Sequence, residues 1–289
     1  MSHPFQTAVK LPKLLNIDAN PKTIKGQSQG FMTAVLYLSP ASSSGFNVCA
    51  FAVMAGCVDG CLSTAGHGGI SKDSKKFTAP DGTQLPDNAI QHARIRRTRL
   101  YFEARVEFFN QLIKEIKAFI RKAKRAGLTP VIRLNGTSDI PWENQQVTFE
   151  GFTYPNIFAI FSGVQFYDYA KTYNRAYKTL PANYHLSLSY SEASEDYADK
   201  VAKASRDTGR NLIAVVRNEK LKQELLESDP IYIDGDLSDL RFLDKPNSVV
   251  LLKAKGRARK DTSGFVIDNF KPFPKAGIGM RDFIKTKAA

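Results

Sequence analysis

No apolar run in this sequence approaches the roughly 18 residues that a membrane-spanning helix needs, so no span is expected. The opening residues, MSHPFQTAVKLPKLLN, carry no apolar h-region, which argues against a secretory leader. Cysteine is scarce. Three are present, an odd number for a chain expected to stay in a reducing cytosol, and a disulfide framework is disfavoured. No Gly-x-Gly-x-x-Gly follows a first strand, which lowers the case for a dinucleotide-binding sheet. Acidic residues are the scarcer sign: 28 Asp and Glu against 41 Lys and Arg give a net charge of +13. That excess favours a polyanionic partner, most often nucleic acid, over a merely basic surface.

What is there is organised around residues 46–71, FNVCAFAVMAGCVDGCLSTAGHGGIS. All three cysteines, Cys49, Cys57 and Cys61, fall in this stretch, with seven and three residues between them. Thiolates on a glycine-bearing loop suit a metal or cluster, because the ligands must converge and the backbone must bend to let them. Three thiolates can hold a [4Fe–4S] cluster and leave one iron open for substrate or for S-adenosylmethionine. With a fourth ligand, for which His67 is the candidate, they can hold zinc instead. The plainer alternative is three buried thiols acting as small hydrophobes with no metal.

Residues 1–28, broken by Pro4, Pro12 and Pro21, read as an N-terminal arm or irregular cover, and 29–289 as a single α/β domain. A helical pattern starts at Asp87 or Asn88 and runs to Ala126, where Gly127 is placed to end it. Beyond it, short apolar runs at 130–134, 164–167, 184–188, 211–216, 231–233, 249–252 and 265–267 alternate with helical stretches at 171–180, 192–208 and 219–227. With one run near 31–38 or 46–50 this makes about eight strands, which predicts a (β/α) barrel-like parallel sheet with outer helices, closed or incomplete. An open doubly wound sheet is the runner-up.

Each apolar run ends in polar residues, and in a parallel barrel those ends share one rim. The fullest set is Asn135-Gly136-Thr137-Ser138-Asp139. Asn135, Thr137 and Ser138 are expected to orient a cofactor or substrate, with Asp139, Asp168, Glu192 and Lys253 as acid–base candidates. Loops are polar in any case, and that alone explains about half of the pattern. Asp234, Asp236 and Asp239 admit a divalent ion, although a turn that caps a short helix is the more ordinary reading. Arg94, Arg96, Arg97 and Arg99 place four guanidinium groups within about two helical turns, which suits phosphates. Lys255, Arg257, Arg259 and Lys260 can follow a phosphate backbone or simply face solvent.

Phe46-Asn47-Val48-Cys49, Gly56-Cys57, Cys61-Leu62, Arg97-Thr98 and Arg133-Leu134-Asn135-Gly136-Thr137-Ser138-Asp139 resemble the bacteriophage gene product 88 family over about residues 45–270. That resemblance implies a phage-encoded protein at work in the cytoplasm of the infected bacterium, and carries no activity with it. More distantly, a cysteine loop after an early strand of a parallel barrel resembles radical S-adenosylmethionine enzymes. The leading expectation is an iron–sulfur barrel enzyme acting on a nucleotide or nucleic acid. The alternatives are a non-enzymatic nucleic-acid-binding protein with structural zinc or no metal, and an inhibitor that binds a host factor.

Overall fold

The computed structural model of the chain describes residues 11–18 and 21–268; the parts of the expected arm and domain at 1–10, 19–20 and 269–289 lie outside them. The centre is a nine-stranded sheet. Its strands are β1 (Leu15–Ile17), β2 (Phe31–Leu36), β3 (Thr129–Arg133), β4 (Gln165–Ala170), β5 (Tyr184–Ser189), β6 (Leu212–Val216), β7 (Tyr232–Asp234), β8 (Val249–Lys253) and β9 (Val266–Ile267). The spatial order is β1-β2-β3-β4-β5-β6-β8-β7, with β9 also on β6. Every pairing is parallel except β1 with β2. All seven apolar runs read after residue 129 are strands of this sheet.

The sheet is open. Its end strands, β1 and β7, pair with one neighbour each and not with each other. Among the described residues no strand pairing closes a barrel, because an antiparallel strand caps one edge and the order reversal at β8-β7 ends the other. A side-chain seam spans the gap. Lys22, on the short helix α1 (Pro21–Lys25), donates to the carbonyl of Gly235 at 3.0 Å and pairs with Asp236 at 2.9 Å. The stretch read as an arm is partly structural. Leu14 and Leu15 are fully buried, and their N–H groups donate to the Glu115 carboxylate at 2.8–3.1 Å.

Parallel strands need crossovers, and the longest one carries α2 (Ala89–Glu103) and α3 (Arg105–Arg125). The Asn88 side chain caps α2 by accepting from the Gln91 N–H. The single long helix expected here breaks at Ala104, whose φ of −141° and ψ of 65° are not helical. The break lets α2 follow the cysteine loop while α3 lies on the sheet. In α3, Phe108, Leu112, Ile113, Ile116, Phe119 and Ala123 recur at steps of three and four and are all buried. They pack with Met32, Ala34, Leu36, Ile132 and Phe166 from one face of the sheet. Burying each large side chain contributes about 1.5–3 kcal/mol. A second core lies where α4 (Glu195–Thr208) and α5 (Glu219–Ser228) cover β6 and β8. The helix expected at 171–180 is instead one 3-10 turn, Tyr173–Tyr177, because Arg175 points inward to buried carboxylates.

Strand alternation sends Arg133, Tyr167, Tyr169, His185 and Ser187 to the opposite face. There the hydroxyls of Tyr167 and Tyr169 donate to Asp239 at 3.0 and 2.9 Å, and Val131 and Tyr167 pack on Leu240. The segment around Asp239 thus covers this face.

Candidate active-site cavity

The cysteine loop leaves the C-terminal end of β2 and is pinned from several sides. Val48 accepts the Asp139 N–H at 2.8 Å. Gly56 has φ +62°, and a Cβ there would lie 2.6 Å from the Cβ of Ala193 and 2.7 Å from Ser263 Oγ. A Cβ on Gly60 would lie 2.8 Å from the Phe265 ring. These glycines let the loop lie flat on the stretch that leads into β9. Below it, Gln91 donates to the carbonyls of Ser63 at 2.9 Å and Gly68 at 2.7 Å. Arg94 also donates to the Ser63 carbonyl.

Beneath the loop lies a cavity of about 130 Å³ at the C-terminal mouth of the sheet. Cys49, Cys57 and Cys61 all line it. From the strand ends come Arg133, Asn135, Thr137, Ser138, Tyr169, Lys171, Ser189, Val215 and Leu252. The cavity forms partly because β5 and β6 part company. Leu212 and Ile213 pair with β5, whereas Val215 and Val216 pair with β9. One flank is a small hairpin of Lys76–Thr78 and Gln84–Pro86, which contributes Thr83 and Leu85; Arg257 stands at the rim.

Burial, aided to a smaller degree by Cys61, pushes the Cys49 thiol up to about 12 and the Cys57 thiol up to about 11. Lys171 opposes them. Burial works against its ammonium, but Cys57, Asp139, Cys49 and Cys61 together raise its pKa. Among the described residues no three His, Cys, Asp or Glu side chains converge tightly enough to hold a single metal ion. The thiols surround a common space instead, and His67 is exposed and not part of the lining.

Asn135, Thr137 and Ser138 do line the cavity, but their polar atoms are engaged. The Asn135 Oδ1 accepts from Ser138 Oγ, the Ile140 N–H and the Trp142 indole at 2.9–3.1 Å. Thr137 Oγ1 donates to the Leu38 carbonyl at 2.5 Å. These residues build the turn that shapes the wall. The four acid–base candidates do not line the cavity. Asp139 accepts from Arg175 at 2.8 Å and from the Lys171 N–H, the Thr172 N–H and the Thr172 hydroxyl at 2.8–3.0 Å. Asp168 accepts from the Asn135 N–H and amide and from the Tyr184 hydroxyl; burial pushes it up to about 7. Glu192 sits against the Tyr190 hydroxyl, and Lys253 pairs with Glu219 at 3.0 Å.

The arginine set on α2 divides by face. Arg94 and Arg97 are buried; Arg97 donates to the Lys13 carbonyl at 2.6 Å and to the Tyr37 carbonyl at 3.3 Å. Both bind backbone, so neither presents a guanidinium to phosphate. Arg96 and Arg99 are exposed, and Arg99 pairs with Glu103 at 2.6 Å. Lys255 pairs with Asp236 at 2.9 Å, whereas Arg257, Arg259 and Lys260 are exposed. The acids at 234–239 are likewise engaged: Asp234 and Asp236 with Lys222, and Asp239 with the two tyrosines. Sequence reasoning missed Arg133 as a cavity residue, and it placed Lys171 at the rim without giving it a role. The signal was the alternation Tyr167, Tyr169, Lys171, which places the lysine one step past the strand on the cavity side.

A family model described as gene product 88 matches residues 13–269 of the chain. No curated protein and no solved structure matches.

Proposed function

The chain belongs to the gene product 88 family, and from that premise we propose that it is a phage enzyme that holds an iron–sulfur cluster on Cys49, Cys57 and Cys61 and acts on a nucleotide or nucleic acid in the host cytoplasm. One observation carries this reading: the three cysteines of the chain line one cavity at the mouth of a parallel sheet. The donor set suits a cluster better than zinc. A zinc ion needs four donors within about 2.3 Å of one point. A cluster spreads its thiolates over separate irons, which accords with thiols arranged around a volume. When bound, such a cluster supplies one-electron chemistry at an open iron, where S-adenosylmethionine is the cofactor that the distant resemblance suggests.

The chain's own residues do the rest. The glycine-bearing loop brings the thiols over the strand ends. Lys171 supplies a positive charge that favours their thiolate forms, since three thiolates gathered in one place repel each other. Leu85, Val215, Leu252 and Phe265 keep water from the walls. Arg257, with Arg259 and Lys260 beside it, holds phosphates at the entrance.

Anaerobic purification followed by an absorption spectrum and by iron and sulfide analysis tests this. A brown protein that loses colour, iron and sulfide in Cys57→Ala is expected. A colourless wild-type protein that carries zinc or no metal would refute it. A second reading, a nucleic-acid-binding protein without an enzymatic role, draws on the exposed Arg257, Arg259 and Lys260 alone. It predicts salt-sensitive binding that survives the loss of all three cysteines.

A further inference from the structure

Lys171 is the only lysine among the described residues that line the cavity. Its backbone is held on both sides. The N–H donates to Asp139 at 3.0 Å, and the carbonyl accepts from the Tyr197 hydroxyl at 3.1 Å. Lys171 shares the cavity lining with the three cysteines, and no carboxylate among the described residues forms an ion pair with its ammonium. Asp139, the acid nearest in charge effect, has one oxygen on Arg175 and the other on the backbone of Lys171 and on Thr172.

Arg133 is the second cation at the cavity wall. Its guanidinium lies 4.0 Å from the centre of the Tyr169 ring and 3.6 Å from Asp239. Its Nε is buried and has no hydrogen-bond partner. Asp239 already accepts from two tyrosine hydroxyls, so it answers only part of this charge. Each cation therefore faces a carboxylate that is already committed, Asp139 for Lys171 and Asp239 for Arg133. A partly desolvated ammonium without a counter-ion is unfavourable, and an incoming anion relieves that.

We propose that Lys171, backed by Arg133, binds the oxyanion of a small ligand, a carboxylate or a phosphate, inside the cavity beneath the cysteine loop. This rests on reading the cavity as the working site but does not require the cluster. It differs from phosphate capture at the rim, because Lys171 is inside and Arg257 is at the entrance.

The test uses the full-length chain as purified anaerobically, with its iron measured, and two ligand pairs that differ in the oxyanion. Adenosine 5′-monophosphate is compared with adenosine for the phosphate source, and adenosine 5′-carboxylate with its neutral 5′-carboxamide for the carboxylate source. The anionic member of at least one pair should bind roughly tenfold more tightly than its neutral counterpart. Lys171→Gln should abolish that preference, Lys171→Arg should keep part of it, and Arg96→Gln, exposed on α2 away from the cavity lining, should leave it in place. Cys57→Ala should keep the preference even if iron is lost, which separates this proposal from the cluster. No preference in either pair for the wild-type chain would overturn the proposal without any variant. So would a preference kept in Lys171→Gln, or one lost with the iron in Cys57→Ala, since the cluster would then be holding the anion.

Discussion

Asp168 accepts the backbone N–H of Asn135 at 2.7 Å and its side-chain amide at 3.2 Å. Two residues that looked like separate functional groups at neighbouring strand ends are each other's partners. The acid locks the turn that carries Thr137 and Ser138 to the cavity wall, and its chemistry is that of a buried structural carboxyl.

That carboxyl gives the chain a pH signature. Burial is the main cause of its rise from 3.8 to about 7, against the opposing pull of Arg133 and the Asn135 N–H. Between those two values the folded chain keeps a proton that the unfolded chain has released. Its contribution to stability therefore falls as pH rises through that window and is level on either side. Asp168→Asn removes the titration. The stability of wild type relative to this variant, from urea midpoints, should decrease between about pH 5 and about pH 7.5. A difference that is constant with pH would show that the carboxyl is ionised throughout.

Arg175 is the keystone of the same wall. It reaches Glu143 through two nitrogens at 2.7 and 2.8 Å, Asp139 at 2.8 Å and the Tyr184 hydroxyl at 2.8 Å. Arg175→Met leaves two buried carboxylates without their cation and should cost about 3–5 kcal/mol. Glu143→Gln keeps the shape and removes one charge, and should cost about 1–3 kcal/mol. Denaturant midpoints check both. Because Asp139 also holds the Lys171 backbone, Arg175→Met should weaken ligand binding in the cavity as well.

Much of this was legible in the sequence, and the exceptions have physical causes. The strands of a parallel sheet covered by helices are nearly continuous apolar runs, so Leu212–Val216 and Val249–Lys253 could be read directly. The face of α3 was equally plain. The buried face of α2, by contrast, is made of Gln91, Arg94, Thr98 and Tyr101 at steps of three and four. Hydrophobic periodicity does not register a polar face, and this one is buried because the cysteine loop above it offers carbonyls rather than side chains. Arg94 thus read as a phosphate binder although it is a loop support. Asp168 and Lys171 show the other limit: both stand at the end of one strand, yet the two-residue period turns one away from the cavity and the other into it. Whether the sheet closes depended on β1, a three-residue strand paired antiparallel, which is too short to stand out from the polar segment around it.

The loop that carries the cysteines should be more sensitive at Gly56 than at Gly66. Its φ of +62° disfavours any side chain, and a Cβ would also collide with Ala193 and Ser263. Gly66 has φ +56° but nothing within 4 Å of an added Cβ. Gly66→Ala should therefore cost about 1 kcal/mol from backbone strain alone. Gly56→Ala adds a packing clash and should cost about 1–3 kcal/mol more. Thermal midpoints give the comparison, and iron content should fall in Gly56→Ala while Gly66→Ala keeps it. Equal losses would mean that the loop shifts freely over Ala193, and that its seating does not place Cys57.

Binding at the entrance should respond to salt in a way that binding at Lys171 does not. Arg257 lines both the cavity rim and an adjoining surface hollow with Lys260 and Asp59, while Arg259 is exposed beside them. If these three cations meet phosphates of a nucleic acid, each contact releases condensed counter-ions, and affinity falls steeply with salt. Replacing all three by Gln should weaken binding of a single-stranded oligonucleotide and flatten its log–log salt slope by about 2. Lys171→Gln should leave that slope as it is, since one charge inside a cavity meets only the ligand's end. Arg96→Gln with Arg99→Gln serves as the control: both are exposed on α2, and Arg99 is already paired with Glu103. An equal loss from the control pair would mean that binding follows net charge alone, and that the positive rim has no particular part in bringing a substrate to the cavity.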